Sequence, residues 1–353
     1  MIRVGVVGFG LAGRVFHSPL VSSVAGLELA GIVERSGNLA AERYPQVKTY
    51  RSFEELANDA QIDLLVIATP SGTHVELARQ ALQAGKHVVV DKPVSPAAAE
   101  VEELGELAES TGRLLIPFHN RRWDGDFLTV SHLVRENAVG RLVAAESRMD
   151  RWNPGATRRP WKEDPEQGGG VLLDLGTHLV DQALALFGLP EAVVADVLRE
   201  RDGEGANDSF TIRLRYAAGL RVTLGANALS SAAGTRFVLR GTGGNFRKFG
   251  VDPQERDLGK LTRISGEAWG KDAAADWGTL TVDVSGAIVS RPVETLAGDY
   301  RKFYEGVRDA VEGGAATPVT VEEAWRVARV LEWAEESSRL RCEVHCEWDR
   351  ELK

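Results

Sequence analysis

Residues 2–13 read IRVGVVGFGLAG, an apolar run followed by glycines in the spacing G-x-G-x-x-G. Such a motif alone is weak evidence for a dinucleotide site, but here it follows a predicted strand and opens a predicted helix. Gly8 permits the tight turn, Gly10 lets the backbone approach a pyrophosphate, and Gly13 allows close helix–strand packing. The stretch therefore predicts a dinucleotide-binding βα unit. The loop residues expected at the cofactor are Gly8, Phe9, Gly10, Leu11, Ala12 and Gly13.

The chain as far as about residue 119 alternates short apolar runs with amphipathic stretches. Uniformly apolar strands alternating with helices predict a parallel sheet covered on both faces. Right-handed crossovers make this a doubly wound α/β Rossmann fold, which binds ligands outside the carboxyl ends of its strands. We assign it to a first domain, residues 1–120. Its apolar runs are 2–7, 27–33, 63–68, 86–90 and 113–118.

After residue 120 the pattern changes to alternation of apolar and polar residues. This alternation is typical of an antiparallel sheet with one covered face. With two late helical patterns, it predicts a C-terminal α+β domain, residues 121–353, built on a large open, mainly antiparallel sheet. We expect the open face to form a homodimer or homotetramer interface, and the glycine-rich residues 241–250 to be a turn. The alternating runs are 142–149, 192–198, 209–216, 220–228 and 236–241, and the helical patterns are 300–313 and 321–340.

The composition narrows the classes of partner and compartment. The net charge of −9 argues against nucleic acid as the main partner. No apolar run approaches the roughly 20 residues of a membrane span, and we see no export signal. Cys342, His345 and Cys346 resemble a fragment of a metal site, but further ligands at zinc spacing are missing. We therefore expect reduced thiols, a cytoplasmic protein and no metal.

The residue after the second apolar run bears on the choice of cofactor. Glu34 stands where an acid would bind the adenosine ribose hydroxyls and repel a 2′-phosphate, which slightly favours NAD. Arg35 follows at once and could instead pair with that phosphate. The cofactor is therefore expected to be NAD or NADP.

Polar residues also follow the later strands. His74 ends the segment after the third apolar run, Asp91 and Lys92 follow the fourth, and Asn120 follows the fifth. A lysine at the carboxyl end of a buried strand, next to an acid and followed by proline, lies in line with the cofactor crevice. We expect it to take part in the chemistry.

The segment GGGVLLDLGTHLVDQ, residues 168–182, predicts a helix with polar residues on one face. Asp174, His178 and Asp181 fall at i, i+4 and i+7. A histidine is suited to proton transfer near neutral pH, and a lysine can stabilise a developing alkoxide. Asp174 could orient the substrate hydroxyls or hold the tautomer of the histidine. A lysine of lowered pKa could instead be the base. Asp174 and His178 could also share a metal, but no third ligand at diagnostic spacing appears.

The segment before this helix, residues 147–167, mixes arginines with tryptophans. It is read as a substrate lid, with a plain surface loop and a site for single-stranded nucleic acid as the alternatives. The substrate-contact candidates are Trp123, Asp124, Arg151 and Trp161.

Over nearly its whole length the sequence resembles the glucose–fructose oxidoreductase/inositol dehydrogenase/MocA family. The resemblance rests on VGVVGFGLAGRVFHSPL, ATPSGTH, VVVDKP, FHNRRWDGDF and GGGVLLDLGTHLVDQ. GTGGNFRKFGVDPQE is similar to a branch containing NADP-dependent scyllo-inositol dehydrogenases. The usual family motif is Glu-Lys-Pro, in which Asp91 here replaces the glutamate. Glu34 is a second departure, because NADP users of this branch tend to lack an acid there.

The resemblance implies a catalytic set of Lys92, Asp174 and His178. It also implies that Ala68, Thr69, Pro70, Lys92 and Asn120 line the nicotinamide side. The expected reaction is hydride transfer between a secondary alcohol of a sugar, polyol or inositol and NAD(P). The alternatives are a non-catalytic, dinucleotide-binding redox sensor and an NAD(P)-dependent reductase of a non-sugar substrate.

Overall fold

The computed structural model of the protein describes residues 1–155, 160–165, 168–232, 234–266 and 269–348. The chain divides into two compact units, each made of three segments. The first unit takes two late segments that the sequence did not assign to it, and the division into the domains 1–120 and 121–353 stays a prediction. The first unit comprises residues 1–123, 253–269 and 299–326, and the second comprises 124–252, 270–298 and 327–353.

The first sheet is parallel throughout the described residues, which confirms the predicted Rossmann fold. Its strands are β1 Ile2–Val7, β2 Leu27–Val33, β3 Lys48–Tyr50, β4 Leu64–Ile67, β5 His87–Val90 and β6 Leu115–Pro117. Their spatial order is β3-β2-β1-β4-β5-β6, the doubly wound arrangement. The strands β1, β4 and β5 are neighbours, so the loops that follow them meet at one edge of the sheet.

The second sheet is mixed and mainly antiparallel, as predicted. Its strands are β7 Leu142–Arg148, β8 Ala192–Leu198, β9 Ser209–Arg215, β10 Arg221–Asn227, β11 Thr235–Gly241, β12 Gly244–Phe249, β13 Gly278–Val284, β14 Ala287–Val293 and β15 Val344–His345. Their order is β14-β13-β12-β11-β7-β10-β9-β8-β15, with β7 and β10 parallel. In β9 the buried Phe210, Ile212 and Leu214 alternate with more exposed residues, so one face of the sheet packs on the core.

The helices surround these sheets. They are α1 Ser18–Val21, α2 Leu39–Arg43, α3 Phe53–Ala57, α4 His74–Gln83, α5 Ala98–Thr111, α6 Gly125–Arg135, α7 Thr177–Phe187, α8 Gln254–Leu258, α9 Arg301–Val311 and α10 Val321–Leu340. Two π-helical turns, Gly13–His17 and Leu172–Gly176, precede α1 and α7. In the described ranges we find no helix that could cross a membrane.

Residues 241–250 correct one expectation. We expected a turn over the whole stretch, but Gly244–Phe249 forms β12, between β11 and β13. The turn is confined to Thr242 and Gly243. The buried Phe246 and Lys248 alternate with exposed neighbours, and this period-2 pattern was hidden by the glycines around it.

A buried arginine fixes the helices of the second unit against its sheet. Arg236 of β11 donates to Asp126 in α6 at 3.0 Å, to Ser147 in β7 at 2.6 Å and to Gln182 in α7 at 2.9 Å. A buried guanidinium is costly unless such partners satisfy its donors. Here they tie α7 to β7 and β11.

Candidate active site

The glycine loop after β1 has room for a ligand at one of its three glycines. Gly8 has a φ of +97°, a conformation that L side chains rarely adopt. A Cβ atom on Gly13 would lie 2.0 Å from the carbonyl oxygen of Gly8, so that position must also be glycine. A Cβ atom on Gly10 would meet no atom within 4 Å, and the following Leu11 is 39% exposed. Gly8 and Gly13 are required by the fold, whereas Gly10 faces open space.

Glu34, at the end of β2, is engaged by its own loop. Its carboxylate accepts hydrogen bonds from the backbone N–H groups of Leu39 at 3.2 Å and Ala40 at 3.0 Å, at the start of α2. Arg51 holds the same loop by donating to the carbonyl oxygen of Glu34 at 3.0 Å. The neighbouring Arg35 is exposed. The carboxylate expected at the ribose thus has backbone partners of its own.

The residues that follow β4 are held by a buried histidine. Nδ1 of His74 lies 2.7 Å from the carbonyl oxygen of Pro93, and Nε2 lies 2.9 Å from that of Thr69. His74 therefore ties the end of β4 to the end of β5. Among the other residues expected here, Ala68 is buried and Pro70 is exposed.

Asp91 and Lys92 follow β5 at the same sheet edge. The Asp91 carboxylate accepts the backbone N–H of Lys92 at 2.8 Å, and the Lys92–Pro93 peptide bond is cis. Burial raises the pKa of Asp91, whereas the nearby His17, Lys92 and His74 lower it, and the net pKa lies below the ordinary value. The carboxylate beside Lys92 is therefore ionised at neutral pH. Asn120, which follows β6, is buried in the short 3₁₀ turn Asn120–Trp123.

In the second unit, Asp174 is paired with a lysine that sequence reasoning missed. Lys162, in the 3₁₀ turn Pro160–Glu163, donates to the Asp174 carboxylate over 2.8 Å. The two side chains are 26% and 30% exposed, so the ion pair is open to solvent. Lys162 belongs to the predicted lid, and the excess of basic residues there was the available signal.

The glycines before Asp174 pack closely against neighbouring parts of the second unit. A Cβ atom on Gly169 would lie 2.6 Å from the carbonyl oxygen of Asp164, and one on Gly170 would lie 2.7 Å from the Asn207 side chain. Asn207 also accepts the N–H of Leu172 at 2.8 Å. These glycines therefore bring the chain close to its own backbone and to Asn207.

His178 and Asp181 lie on α7, and their environment differs from expectation. The sequence suggested a regular helix with a polar face, but a π turn, Leu172–Gly176, holds Asp174 and ends just before α7. His178 is 5% and Asp181 1% exposed, so both are buried rather than on a solvated face. Leu172, Leu175 and Leu179 are buried, and Leu186 is half-buried.

The substrate-contact candidates fall in different environments. Trp123 packs edge-on against Phe303 with ring centroids 5.7 Å apart, and Asp124 is fully buried. Arg151 is exposed, and its backbone N–H donates to the carbonyl oxygen of Asn227 at 2.8 Å. The side chain of Trp161 lies outside the described part of the chain.

The described residues contain no group of three or more His, Cys, Asp or Glu side chains arranged to hold a metal ion. What the first unit does contain is a parallel sheet whose carboxyl edge carries a glycine loop, a tied β4 loop and the Asp91–Lys92 pair.

Comparison with known proteins identifies the class to which this combination belongs. Residues 2–119 match the model of an oxidoreductase family with an NAD-binding Rossmann fold, and residues 127–247 match the GFO/IDH/MocA C-terminal domain. The protein is an NAD(P)-dependent dehydrogenase. More particularly, the chain belongs to the GFO/IDH/MocA family, as the sequence motifs indicated.

Relatives and solved structures are similar to this chain over nearly its whole length. The uncharacterized oxidoreductase YdgJ of Escherichia coli is 40% identical over 96% of this chain and 97% of its own. The scyllo-inositol 2-dehydrogenase (NADP(+)) IolW of Bacillus subtilis is 35% identical over 96% of this chain and 94% of its own. The crystal structure of an oxidoreductase from Bacillus cereus superposes with a TM-score of 0.88 at 30% identity, over 98% of this chain and 99% of that one.

Proposed function

We propose that the protein transfers a hydride between a secondary alcohol of a polyol, sugar or inositol and the nicotinamide of NAD(P). The observation that carries this proposal is the carboxyl edge of the first sheet. The glycine loop follows β1 and Lys92 follows β5, with β4 between those two strands. Ligands of doubly wound sheets bind at this edge. The open space beside Gly10 fits the backbone approach of a pyrophosphate.

The reaction needs a proton acceptor and positive charge near the alcohol oxygen. When bound, the nicotinamide supplies the hydride-accepting carbon. We assign the alcohol proton to His178, stabilisation of the developing alkoxide to the Lys92 ammonium, and orientation of a substrate hydroxyl to Asp174. The rival assignment makes Lys92 the base. The other nicotinamide-side residues in the proposal are Ala68, Thr69, Pro70 and Asn120.

Among polyols, we propose that the substrate is a cyclitol or another compound with adjacent secondary hydroxyls. The Lys162–Asp174 ion pair supports this choice. Its carboxylate accepts from one hydroxyl, and its ammonium donates to the next. IolW, the relative from Bacillus subtilis, is named for scyllo-inositol, which carries such hydroxyls around a ring.

For the cofactor we propose NADP, although the sequence slightly favoured NAD. Glu34 uses its carboxylate on the N–H groups of Leu39 and Ala40, and Arg35 is exposed beside it. A guanidinium suits a 2′-phosphate. Titration of the cofactor-free protein with NADPH and NADH tests this choice. Arg35→Ala should weaken NADPH about tenfold or more and leave NADH unchanged, since a charge-assisted hydrogen bond has roughly that value. NADH binding tighter than NADPH would contradict the proposal.

The reaction itself is tested by offering inositols, other polyols and aldoses with each cofactor and following nicotinamide absorbance. We expect turnover with at least one cyclitol. Lys92→Met should lower kcat by about 100-fold or more, because it removes the charge facing the alkoxide. Lys260→Met, at an exposed lysine of the same unit, is the matched control. Tight NADPH binding with no turnover of any alcohol would favour the redox-sensor alternative. Reduction of a ketone that has no hydroxyls would favour the non-sugar reductase.

We also propose that the open face of the second sheet joins two or four copies of the chain. Arg213, Thr223, Glu146 and Val238 form one cross-strand row on that face, and each is half-buried or exposed. Sedimentation of the wild type and of Val238→Glu tests this interface. Dissociation of the variant supports it, and an unchanged assembly, or a monomeric wild type, contradicts it.

A further inference from the structure

One buried histidine of the first unit has no part in the chemistry assigned so far. His17 is the last residue of the π turn after the glycine loop and is 0% exposed. Its Nδ1 atom lies 2.6 Å from the hydroxyl of Tyr304, a fully buried residue of α9. Its ring centroid lies 4.3 Å from that of Phe118, which follows β6. His17 is therefore fixed by packing and by a short hydrogen bond.

The other ring nitrogen of His17 faces the acid beside Lys92. Nε2 lies 4.0 Å from Oδ2 of Asp91, and it has no hydrogen-bond partner among the described residues. The other oxygen of the same carboxylate, Oδ1, accepts the backbone N–H of Lys92 at 2.8 Å. Hydrogen bonds thus join Tyr304 to His17 and Lys92 to Asp91, and the gap of 4.0 Å between His17 and Asp91 separates the two pairs.

The chemistry of these groups determines which atoms carry protons. Burial, and to a smaller extent Asp91, raises the pKa of Tyr304 well above its ordinary value, so the phenol keeps its proton. A carboxylate can only accept, which favours a proton on Nε2 of His17. Nδ1 then accepts the Tyr304 hydroxyl. Each group in turn points a donor toward the Asp91 carboxylate.

We propose that Tyr304 and His17 are positioning residues for the dehydrogenase reaction. They hold the Asp91 carboxylate in one orientation, and this carboxylate holds the backbone of Lys92, so that the lysine leaves the sheet edge in one direction. The proposal rests on the role assigned above to Lys92. It also accounts for the aspartate in place of the usual glutamate: the shorter acid keeps one oxygen on the Lys92 N–H and the other toward His17.

Ionisable groups surround both His17 and Asp91. His17 faces Tyr304 from α9 and Asp91 from the end of β5, and Asp91 in turn faces His74 and Lys92. Removing the Tyr304 hydroxyl frees His17 to change tautomer. Such a change alters the field at Asp91 and at Lys92 without altering the packing of either residue.

The decisive variant is Tyr304→Phe, which keeps the ring and removes the hydroxyl. The matched control is Tyr50→Phe in the same unit, because Tyr50 is also buried and also donates over 2.6 Å to a titratable side chain, that of Asp59. We expect Tyr304→Phe to lower kcat about tenfold, the fold-change expected for one hydrogen bond of ordinary strength. The KM for the cofactor should not change, and the pH profile of kcat should shift. The control should keep the wild-type kcat and profile.

A second readout does not depend on turnover. In cofactor-free protein, nitrogen NMR of the imidazoles reports the His17 tautomer, and the carbon signals of reductively methylated lysines report the surroundings of Lys92. We expect Nδ1 of wild-type His17 to be the unprotonated nitrogen, and we expect Tyr304→Phe and His17→Gln to move the Lys92 carbon signal. An unmoved signal in Tyr304→Phe, or Nδ1 protonated in the wild type, overturns the proposal. If no alcohol is turned over, the proposed reaction fails while these NMR results still decide the role of His17.

Discussion

Two helices of this chain begin in the same local way and serve different ends. Residues 8–17 lead from a glycine-rich loop through the π turn Gly13–His17 into α1, and residues 168–178 lead through the π turn Leu172–Gly176 into α7. Each segment ends at a buried histidine, His17 or His178. Single π turns inside helices are often found at functional sites.

The surroundings of the glycines separate the two segments. In the first, a Cβ atom on Gly10 would meet open space. In the second, a Cβ atom on Gly169 or Gly170 would collide with a carbonyl oxygen or with the side chain of Asn207. Of the two glycine-rich segments, only the first leaves empty space in which a phosphate could approach the backbone. By this criterion the first segment suits a cofactor, and the second suits positioning of Asp174 and His178.

The largest effect that this comparison of the two segments predicts is on kcat. We expect His178→Asn to impair catalysis without impairing cofactor binding. We expect kcat to fall by about 10²–10⁴, the usual contribution of general acid–base catalysis. The Kd of the cofactor, measured by fluorescence titration, should stay within a factor of about two. His132→Asn, at an exposed histidine of α6, is the control. If His178→Asn lowered cofactor affinity as much as kcat, the two segments would not differ in function, which would contradict the prediction.

The second prediction concerns one glycine from each of the two segments. Gly13→Ala puts a Cβ atom 2.0 Å from a backbone oxygen, which cannot move without opening the cofactor loop. Overpacking of this kind costs about 1–3 kcal/mol in the free energy of unfolding, and we expect cofactor affinity to fall at least tenfold. Gly176→Ala meets only side-chain atoms, the nearest at 3.2 Å, and alanine favours the helix by about 1 kcal/mol. Urea unfolding and cofactor titration of both variants check the contrast, and a Gly176→Ala variant as impaired as Gly13→Ala would contradict it.

The third prediction is that Asp174, in the second segment, and its partner Lys162 bind hydroxyl groups of the substrate. Lys162→Met removes the Lys162 ammonium from the Asp174 carboxylate and should raise the KM of the cyclitol about three- to tenfold, since solvent-exposed ion pairs contribute up to ~1 kcal/mol. Cofactor affinity and the free energy of unfolding should change little. Steady-state kinetics beside Lys260→Met provide the measurement. A raised KM for the cofactor instead of the cyclitol would contradict this prediction, because it would mean that Lys162 binds the cofactor.

The smallest effect concerns a carboxylate outside both segments. The hydrogen bond from Tyr50 and a backbone N–H lower the pKa of Asp59 to about 2. A lowered acid pKa adds stability above the ordinary pKa near 4, and that stability is lost as the pH falls toward 2. The difference in unfolding free energy between wild type and Tyr50→Phe should therefore be constant from pH 6 to about pH 5 and should shrink by pH 3. Urea unfolding at pH 6, 5, 4 and 3 checks this, and a gap that widens in acid would refute the assigned cause.

Much of the fold could be predicted from sequence because burial leaves periodic traces. The bounds of β1, β2 and β8 match their apolar runs residue for residue. The sequence predicts a turn at Gly244–Phe249, which is wrong because three glycines at residues 241–244 obscure the alternation of this strand. The hairpin of β13 and β14 was not predicted, since β14 is almost entirely exposed and lacks the apolar trace of a core strand.

The site was less predictable than the fold. The motifs identify Lys92, Asp174 and His178 as candidates, but local periodicity gives no information on which distant groups contact them. The contacts of Lys162 with Asp174 and of Tyr304 with His17 join residues far apart in sequence. The cap that Glu34 provides to α2 was equally hidden, because the same carboxylate also suits a ribose.

The interleaving of the chain between its two units affects how the protein is made. β6 of the first sheet ends at Pro117, but the core around Phe118 is completed by Phe303, Tyr304 and Val307 of α9. A ribosome adding about 5–20 residues per second needs on the order of ten seconds or more to reach them. Throughout that interval the nascent sheet exposes the apolar surface that α9 later covers. Exposed apolar surface favours aggregation, so we expect a fragment ending near residue 120 to aggregate.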